Sequence, residues 1–235
     1  MSGLGVHEEL VAAVYATLAQ HADPERAAGQ QRYMRSTMPY LGLTAPTLAA
    51  ALRPLLGSPD LAMASREQWE ATVDALWQRA THREHWYAAI ALARHRNYCA
   101  WVDSDAMPLW QSMIRDGAWW DVVDDMATHL VRDTVRAHPS VEGLRMREWA
   151  QSDSLWLRRA AIICQVGARE QVDQGLLTDV IEPNITDRDV FSRKAIGWAL
   201  RDHARQDPAW VREFVEGHPG LSGLSRREAL KHLGG

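Results

Sequence analysis

Cysteines and metal-ligand patterns are scarce in this sequence of 235 residues. The two cysteines, Cys99 and Cys164, are far apart, lie in apolar helical patterns and form no CxxC pair. We interpret both as buried thiols of a protein from a reducing compartment. The ten histidines are scattered, and no spacing with supporting acids places two metal ligands on one helix face. We therefore expect neither a metal nor a cofactor.

Long apolar runs are also absent from the sequence. No run approaches the roughly 18 residues of a membrane-spanning helix. The opening segment, MSGLGVHEEL, has neither the basic part nor the apolar part of a secretory leader. We expect a soluble, cytoplasmic protein that has no membrane partner.

An excess of positive charge is missing too, since 26 basic residues face 30 acidic ones and the formal net charge is -4. The chain as a whole therefore exerts no general electrostatic pull on nucleic acid. If DNA is a partner, the basic side chains must be sorted onto one face.

Alternating polar and apolar runs, which would predict β-strands, do not occur, and helical patterns fill the chain instead. The segment HEELVAAVYATLAQHA has apolar residues at helical spacing, and Asp23–Pro24 and Thr44 with Pro46 are helix-start signals. The breaks between helices are short, and none is typical of an interdomain linker. With 46% hydrophobic residues available for a core, we predict a single all-α domain over residues 1–235 and a monomer.

A repeat of 34 residues organises the second half of the chain. The segments RRAAIICQ, RKAIGWAL and RREALKHL align when Ala161, Ala195 and Ala229 are superposed, each 34 residues after the previous one, and one further step back reaches Ala127. Repeats of this length made of paired helices predict an α-solenoid of HEAT-like repeats, because each pair needs its neighbours to bury its apolar face.

The same register also aligns basic residues. Arg159, Arg193 and Arg227 share one repeat position, and Asp125 occupies it one step earlier. Side chains at one position of a solenoid project from one face, so we predict a concave groove lined by a basic row. The alternative is a set of solvated arginines paired with nearby acids.

Tryptophan is the abundant aromatic residue, with eleven Trp against two Phe, and the segment GAWWDVVDD combines two of them with three acids. Trp120 and Asp124 are four residues apart, which places them one turn apart on one helix face. Asp124 is thus the acid best placed beside an aromatic surface, although this spacing also suits a surface carboxylate. We interpret Trp119 as a packing residue. Asp121 is a candidate N-cap or another acid at the helix start, or it supports a neighbouring site residue, and Asp125 has no assigned chemistry.

Four further residues are candidates for ligand contacts. Trp198 follows Gly197, a residue that costs about 1 kcal/mol in a helix interior and indicates either a close approach to the backbone or core packing. Arg159 and Arg201 can donate to phosphates, because the guanidinium fork stays charged and matches a phosphate. Tyr33 offers a ring and a hydroxyl between two arginines, although it also suits helix packing.

Taken in order, five motifs of this sequence resemble those of the AlkD-type alkylpurine DNA glycosylases, which are HEAT-like repeat proteins. The motifs are RYMRSTMPYLGL, WWDVVDDMA, DSLWLRRAAI, RKAIGWALRDHA and LSRREALKHL. The resemblance covers roughly residues 32–232, and the fold that it implies agrees with the 34-residue repeat.

The resemblance implies a role for several residues of this sequence. The family's catalytic aspartate matches Asp124, and the two aromatic residues that flank the lesion nucleotide match Trp120 and Trp198. The arginine that holds the DNA backbone matches Arg159, and a second basic contact matches Arg201.

The remaining implied contacts with DNA come from the N-terminal part and from the repeat. Tyr33 matches a tyrosine that contacts DNA, and we place Arg193 and its neighbour Lys194 in the same DNA-binding set. The segment GLTAP is a departure, because relatives can carry Gln where Thr44 stands, so contacts near the lesion pair are expected to differ.

These observations predict an enzyme of DNA repair whose partner is duplex DNA containing alkylated purines. It would hydrolyse the N-glycosidic bond of cationic N3- or N7-alkylated purines without enclosing the base in a pocket, and it would tolerate bulky adducts. The alternatives are a non-catalytic HEAT-like repeat protein that binds damaged or branched DNA, which would need no acid beside the tryptophans, and a protein-interaction scaffold.

Overall fold

The computed structural model describes residues 5–233, and within this range the chain contains fourteen α-helices, several short 3-10 segments and no β-strand. The predicted all-α fold class is therefore confirmed. The segment MSGLGVHEEL, for which we predict no secretory leader, begins with residues 1–4, and these lie outside the described residues. Contacts divide the chain into two compact units, of which the first ends at Val102 and the second begins at Asp103. The assignment of residues 1–235 to one domain stays a prediction.

The first unit contains five α-helices, which begin where local signals predict. The helices are α1 (Glu8–Gln20), α2 (Pro24–Met34), α3 (Ala45–Leu56), α4 (Arg66–Gln78) and α5 (Arg83–Ala93). Asp23 accepts a hydrogen bond from the backbone N–H of Arg26 at the start of α2, and Thr44 does the same for Thr47 at the start of α3. Both side chains satisfy amide groups that a helix start leaves without a partner.

A buried carboxylate fixes the segment that leads into α3. The carboxylate oxygens of Glu84 accept hydrogen bonds from the backbone N–H groups of Leu41, Gly42 and Leu43 at 2.8, 2.8 and 3.1 Å. Glu84 is 1% exposed, and Gly42 has a φ of 95°, a left-handed conformation that favours glycine. Hydrogen bonds from three backbone N–H groups thus offset the lost hydration of the Glu84 carboxylate.

The second unit contains the other nine described α-helices. They are α6 (Met107–Gly117), α7 (Trp120–Met126), α8 (Arg132–Ala137), α9 (Pro139–Ala150), α10 (Leu155–Ile163), α11 (Gln174–Ile181), α12 (Val190–His203), α13 (Pro208–Gly217) and α14 (Gly223–Ala229). A π-helical segment, Ala127–Val131, joins α7 to α8 without a break.

The helices of the second unit stack in the order that the repeat predicts. Helix α7 packs on α10, α10 on α12 and α12 on α14, while α9, α11 and α13 lie between them in the chain and pack on their neighbours. Ala127, Ala161, Ala195 and Ala229 are all fully buried. A small side chain at this position lets successive helices approach closely, so the predicted helical repeat is confirmed.

The two cysteines differ from each other. Cys164 is buried as predicted, and its burial raises the pKa of the thiol to about 12. The prediction for Cys99 is wrong, because this residue is exposed. It lies in a 3-10 segment, Arg96–Trp101, in which side chains do not follow the helical spacing used for the prediction. Among residues 5–233, no group of His, Cys, Asp or Glu is arranged to hold a metal ion.

Within the described range, no helix combines the length and the apolar character that crossing a membrane requires.

Candidate active site

The centre of the candidate site is Asp124 on α7. Trp119 has an extended backbone and α7 begins at Trp120, so Asp124 lies one turn after Trp120 on the same helix. The interpretation of Asp121 as N-cap is wrong, because the helix starts before it and Asp121 lies in its first turn. A carboxylate there still interacts favourably with the positive end of the helix dipole.

Asp124 binds Arg159 of α10 through two parallel hydrogen bonds. Arg159 Nε donates to Oδ1 at 2.6 Å and Nη2 donates to Oδ2 at 2.7 Å. The side chains are only 18% and 7% exposed, respectively. Burial raises the pKa of Asp124 above its ordinary value, while the hydrogen bonds and the positive charge of Arg159 oppose this shift. The carboxylate is therefore fixed in orientation and screened little by water.

Arg159 also connects α10 to α12. Its Nη1 donates to the backbone carbonyl of Phe191 at 2.7 Å, so the guanidinium joins a carboxylate of α7 to the first turn of α12. Sequence reasoning places Arg159 on the DNA backbone and does not predict its contact with Asp124. In the structure, Arg159 binds Asp124 and orients its carboxylate.

An aromatic cluster holds the N-terminal ends of three helices together beside this ion pair. Trp119, Trp156 and Phe191 precede or open α7, α10 and α12, and their ring centroids are 5.1 to 5.8 Å apart in tilted or edge-on arrangements. The interpretation of Trp119 as a packing residue agrees with these contacts. Sequence reasoning missed Trp156 and Phe191; the signal available was an aromatic residue near the start of successive repeat helices.

A second ion pair organises the loop that leads into α12. Arg158 Nη2 lies 3.1 Å from Asp187 Oδ2, which also accepts a hydrogen bond from Ser192 Oγ at 2.7 Å, and Arg193 Nε donates to the backbone carbonyl of Asp187 at 2.9 Å. Hydrogen bonds from a backbone amide, Ser192 and Arg158 outweigh desolvation and lower the pKa of Asp187. Arg193, predicted to contact DNA, is thus anchored at the start of α12.

Gly197 and its neighbours show what approaches the backbone of α12. A Cβ added to Gly197 would lie 2.5 Å from the Cβ of Glu228 and 3.2 Å from the carbonyl oxygen of Ser225. The group that approaches Gly197 closely is therefore helix α14 and not a ligand. Of the two interpretations of this glycine, helix packing is the one that the structure supports. Trp198 is partly exposed, and Arg201 forms an ion pair with Glu228.

Comparison with known proteins identifies the family. The family model for DNA alkylation repair enzymes matches residues 14–233. The chain belongs to this family. A solved structure described as a predicted DNA alkylation repair enzyme of Enterococcus faecalis is 29% identical, with a TM-score of 0.80, and the similarity covers 90% of this chain and 96% of that one. The curated proteins searched contain no match.

In this member of the family, the structure brings some of the predicted site residues together and leaves others apart. Asp124 and Arg159 are in direct contact, and Arg159 reaches the helix that carries Trp198. Lys194 is exposed on that helix and makes no ion pair with an acid within the described part of the chain. Tyr33 belongs to the first unit, where its side chain is 78% exposed.

The repeat position of Arg159 also holds Asp125, whose carboxylate lies 3.1 Å from Nδ1 of His129. The next residue before it, Asp124, is the one that reaches Arg159, 35 residues along the chain. Asp124 and its neighbour Asp125 therefore have different partners, and Arg159 holds Asp124 through two hydrogen bonds.

Proposed function

We propose that this protein is a DNA glycosylase that hydrolyses the N-glycosidic bond of cationic N3- or N7-alkylated purines in duplex DNA. The observation that carries the proposal is the largely buried carboxylate of Asp124, which Arg159 holds in one orientation one helical turn after Trp120. Membership of the DNA alkylation repair enzyme family supports a substrate that contains alkylated DNA.

The chemistry of the substrate matches one fixed carboxylate. Alkylation at N3 or N7 makes the purine cationic, so the base leaves without first receiving a proton. Positive charge then develops on the sugar, as in other glycosidic cleavages. The ionised carboxylate of Asp124 stabilises this charge and orients the attacking water, because a preorganised charge in a partly desolvated site needs little rearrangement during the reaction. A second carboxylic acid that protonates the leaving group is not required.

The two tryptophans of the site contribute through their ring faces. Trp120 and Trp198 contact the sugar and backbone of the lesion nucleotide, where cation–π and C–H contacts with the developing positive charge contribute on the order of 0.5 to 2 kcal/mol each. Arg159 keeps the carboxylate of Asp124 directed at this sugar. The edge of its guanidinium that binds neither Asp124 nor Phe191 contacts the DNA backbone.

The affinity for duplex DNA arises from residues that bind phosphates and not base edges. Arg193 and Lys194 at the start of α12, Arg201 near its end and the exposed Tyr33 form this set. Such contacts position the duplex but carry no sequence information. Recognition from the backbone side leaves the base outside a pocket, so the enzyme accepts purines with bulky adducts.

Release of free base from duplex DNA containing 7-methylguanine tests the proposal. Wild type, Asp124→Asn and Asp125→Asn are incubated with the duplex at low salt, and free base and abasic sites are measured. Asp124→Asn keeps the shape of the side chain and loses its charge, so we expect release to fall by about 10²- to 10³-fold. Asp125→Asn is the matched control and should retain release.

Three outcomes of this assay decide between the candidate functions. Release by wild type that depends on Asp124 supports the glycosylase. Tight binding of the duplex without release favours a non-catalytic protein that binds damaged DNA. Absence of both binding and release favours a protein-interaction scaffold.

A further inference from the structure

Arg201 and Glu228 form an ion pair between two stacked helices. Arg201 lies in the last turn of α12, and its Nη1 donates to Oε2 of Glu228 on α14. Their side chains are 24% and 33% exposed. The pair is therefore within reach of a ligand, but it is less screened by water than a pair on a fully solvated surface.

Helix packing holds Glu228 in this place. Its Cβ lies against Gly197, one turn before Arg201, at a position where any larger residue would collide with it. Ser225, one turn before Glu228, donates a hydrogen bond from Oγ to the backbone carbonyl of Arg193 at 2.9 Å. Two contacts that do not involve the charges thus hold α14 against α12 and keep the backbone and Cβ of Glu228 close to Arg201.

The pair makes Arg201 different from Lys194, although both belong to the proposed DNA-binding set. Lys194 is exposed and has no acidic partner in the part of the chain that the structure describes. A cation of this kind releases counterions from DNA when it binds a phosphate. The charge of Arg201 is already balanced by Glu228, so a phosphate gains less from it.

We propose that Glu228 is an affinity-limiting residue that holds back the lesion-independent affinity of this protein for DNA. By neutralising Arg201, its carboxylate weakens a phosphate contact that undamaged and alkylated duplexes offer alike. Less of the enzyme is then bound to the excess of undamaged DNA. This inference rests on the proposed function in that the protein binds duplex DNA and that Arg201 belongs to its DNA-binding set.

The experiment compares the binding of an undamaged duplex by wild type, Glu228→Gln and Glu213→Gln over a series of salt concentrations. Glutamine keeps the shape of residue 228 and its seat on Gly197 while it removes the charge. We expect Glu228→Gln to bind about three- to tenfold more tightly near 0.1 M salt, with a salt slope steeper by about one, which corresponds to one more phosphate neutralised. Glu213 is an exposed acid of α13, and its substitution controls for the change in net charge.

Substitution of Arg201 tests the same inference without relying on the Glu228 variant alone. The double variant Arg201→Gln/Glu228→Gln should lose the gain of Glu228→Gln and bind about as tightly as wild type, because it removes both charges of the pair. Equal gains in Glu228→Gln and Glu213→Gln, or a gain that persists in the double variant, would overturn the inference. Failure to release alkylated bases would overturn the proposed catalysis instead, since these measurements use undamaged DNA.

Discussion

Arg159 and Asp124 are joined by two parallel hydrogen bonds, 2.6 Å from Nε to Oδ1 and 2.7 Å from Nη2 to Oδ2. Because both side chains are largely buried, each depends on the other to offset its loss of hydration. The same guanidinium donates to the carbonyl of Phe191. One residue therefore orients the proposed catalytic carboxylate and connects three successive repeat helices.

Replacement of Arg159 should destabilise the fold because it leaves a largely buried carboxylate without its partner. We expect Arg159→Ala to lower the free energy of unfolding by about 3 kcal/mol at neutral pH, as measured by urea denaturation. Arg147→Ala is the control, since its pair with Asp179 is 39% and 44% exposed and should contribute less than about 1 kcal/mol. Equal losses of unfolding free energy in the two variants would show that the buried pair contributes no more to stability than the exposed one.

The pH dependence of base release should report the ionisation of Asp124. Its raised pKa means that the carboxylate becomes protonated, and release is lost, as the pH falls through a window above the ordinary aspartate value of about 3.9. Single-turnover rates, corrected for spontaneous depurination, would show this acidic limb in wild type. Arg159→Gln removes hydrogen bonds that lower the pKa, so the limb should move to higher pH; an unchanged limb would exclude Asp124 as its origin.

Protonation of Asp124 should have opposite effects on catalysis and on stability, because it abolishes base release but favours folding. A carboxyl group whose pKa is higher in the folded than in the unfolded state favours folding when it is protonated. This contribution is fully present below the unfolded pKa and is lost as the pH rises through the folded pKa. Asp124 therefore opposes folding in the pH range in which it supports catalysis, which is typical of functional groups that burial destabilises.

Local signals in the sequence were enough to predict the starts of helices, whereas the partners of the site residues depend on packing. Asp23 and Thr44 cap helices through contacts three residues away, and both were predicted. The pair between Asp124 and Arg159 spans 35 residues, and no spacing rule within one helix reaches so far. The repeat register aligns Asp125, and not Asp124, with Arg159.

The helix start at α7 shows a further limit of sequence reasoning. Asp121 is a favoured N-cap residue, yet the helix begins at Trp120 and the N-cap is Trp119. The ring of Trp119 packs against Trp156 and Phe191, so tertiary packing, and not local capping, accounts for this boundary. The ion pair that neutralises Arg201 was missed for a similar reason, because Glu228 lies on another helix.

Substitution of Gly197 should test the close packing of α14 on α12. A methyl group there would lie 2.5 Å from the Cβ of Glu228, so Gly197→Ala should destabilise the protein by about 1 to 3 kcal/mol, measured by urea denaturation. Gly29→Ala is the matched control in α2, where an added Cβ meets nothing within 4 Å. It should stabilise by up to about 1 kcal/mol. A neutral Gly197→Ala would contradict the tight contact between the helices.

Glu84 should be needed for the segment that leads into α3. Glu84→Gln replaces the carboxylate by a neutral amide, whose oxygen can keep one side of the clamp while its nitrogen cannot accept a hydrogen bond on the other side. We expect a loss of about 2 to 3 kcal/mol in the free energy of unfolding, together with faster amide exchange at Leu41 and Gly42. Glu25→Gln, on the exposed first turn of α2, should cost less than about 0.5 kcal/mol. Unchanged exchange at these two amides would contradict the proposed clamp.

The two tryptophans of the proposed site should affect the chemical step more than the binding of DNA. If Trp120 and Trp198 stabilise positive charge on the sugar, alanine at either position should slow base release by about two- to thirtyfold, which corresponds to the 0.5 to 2 kcal/mol of a cation–π contact. Single-turnover rates at saturating enzyme separate this effect from affinity. Phenylalanine keeps a ring face and should restore part of the rate, so that a phenylalanine variant as slow as alanine would argue for a purely structural role.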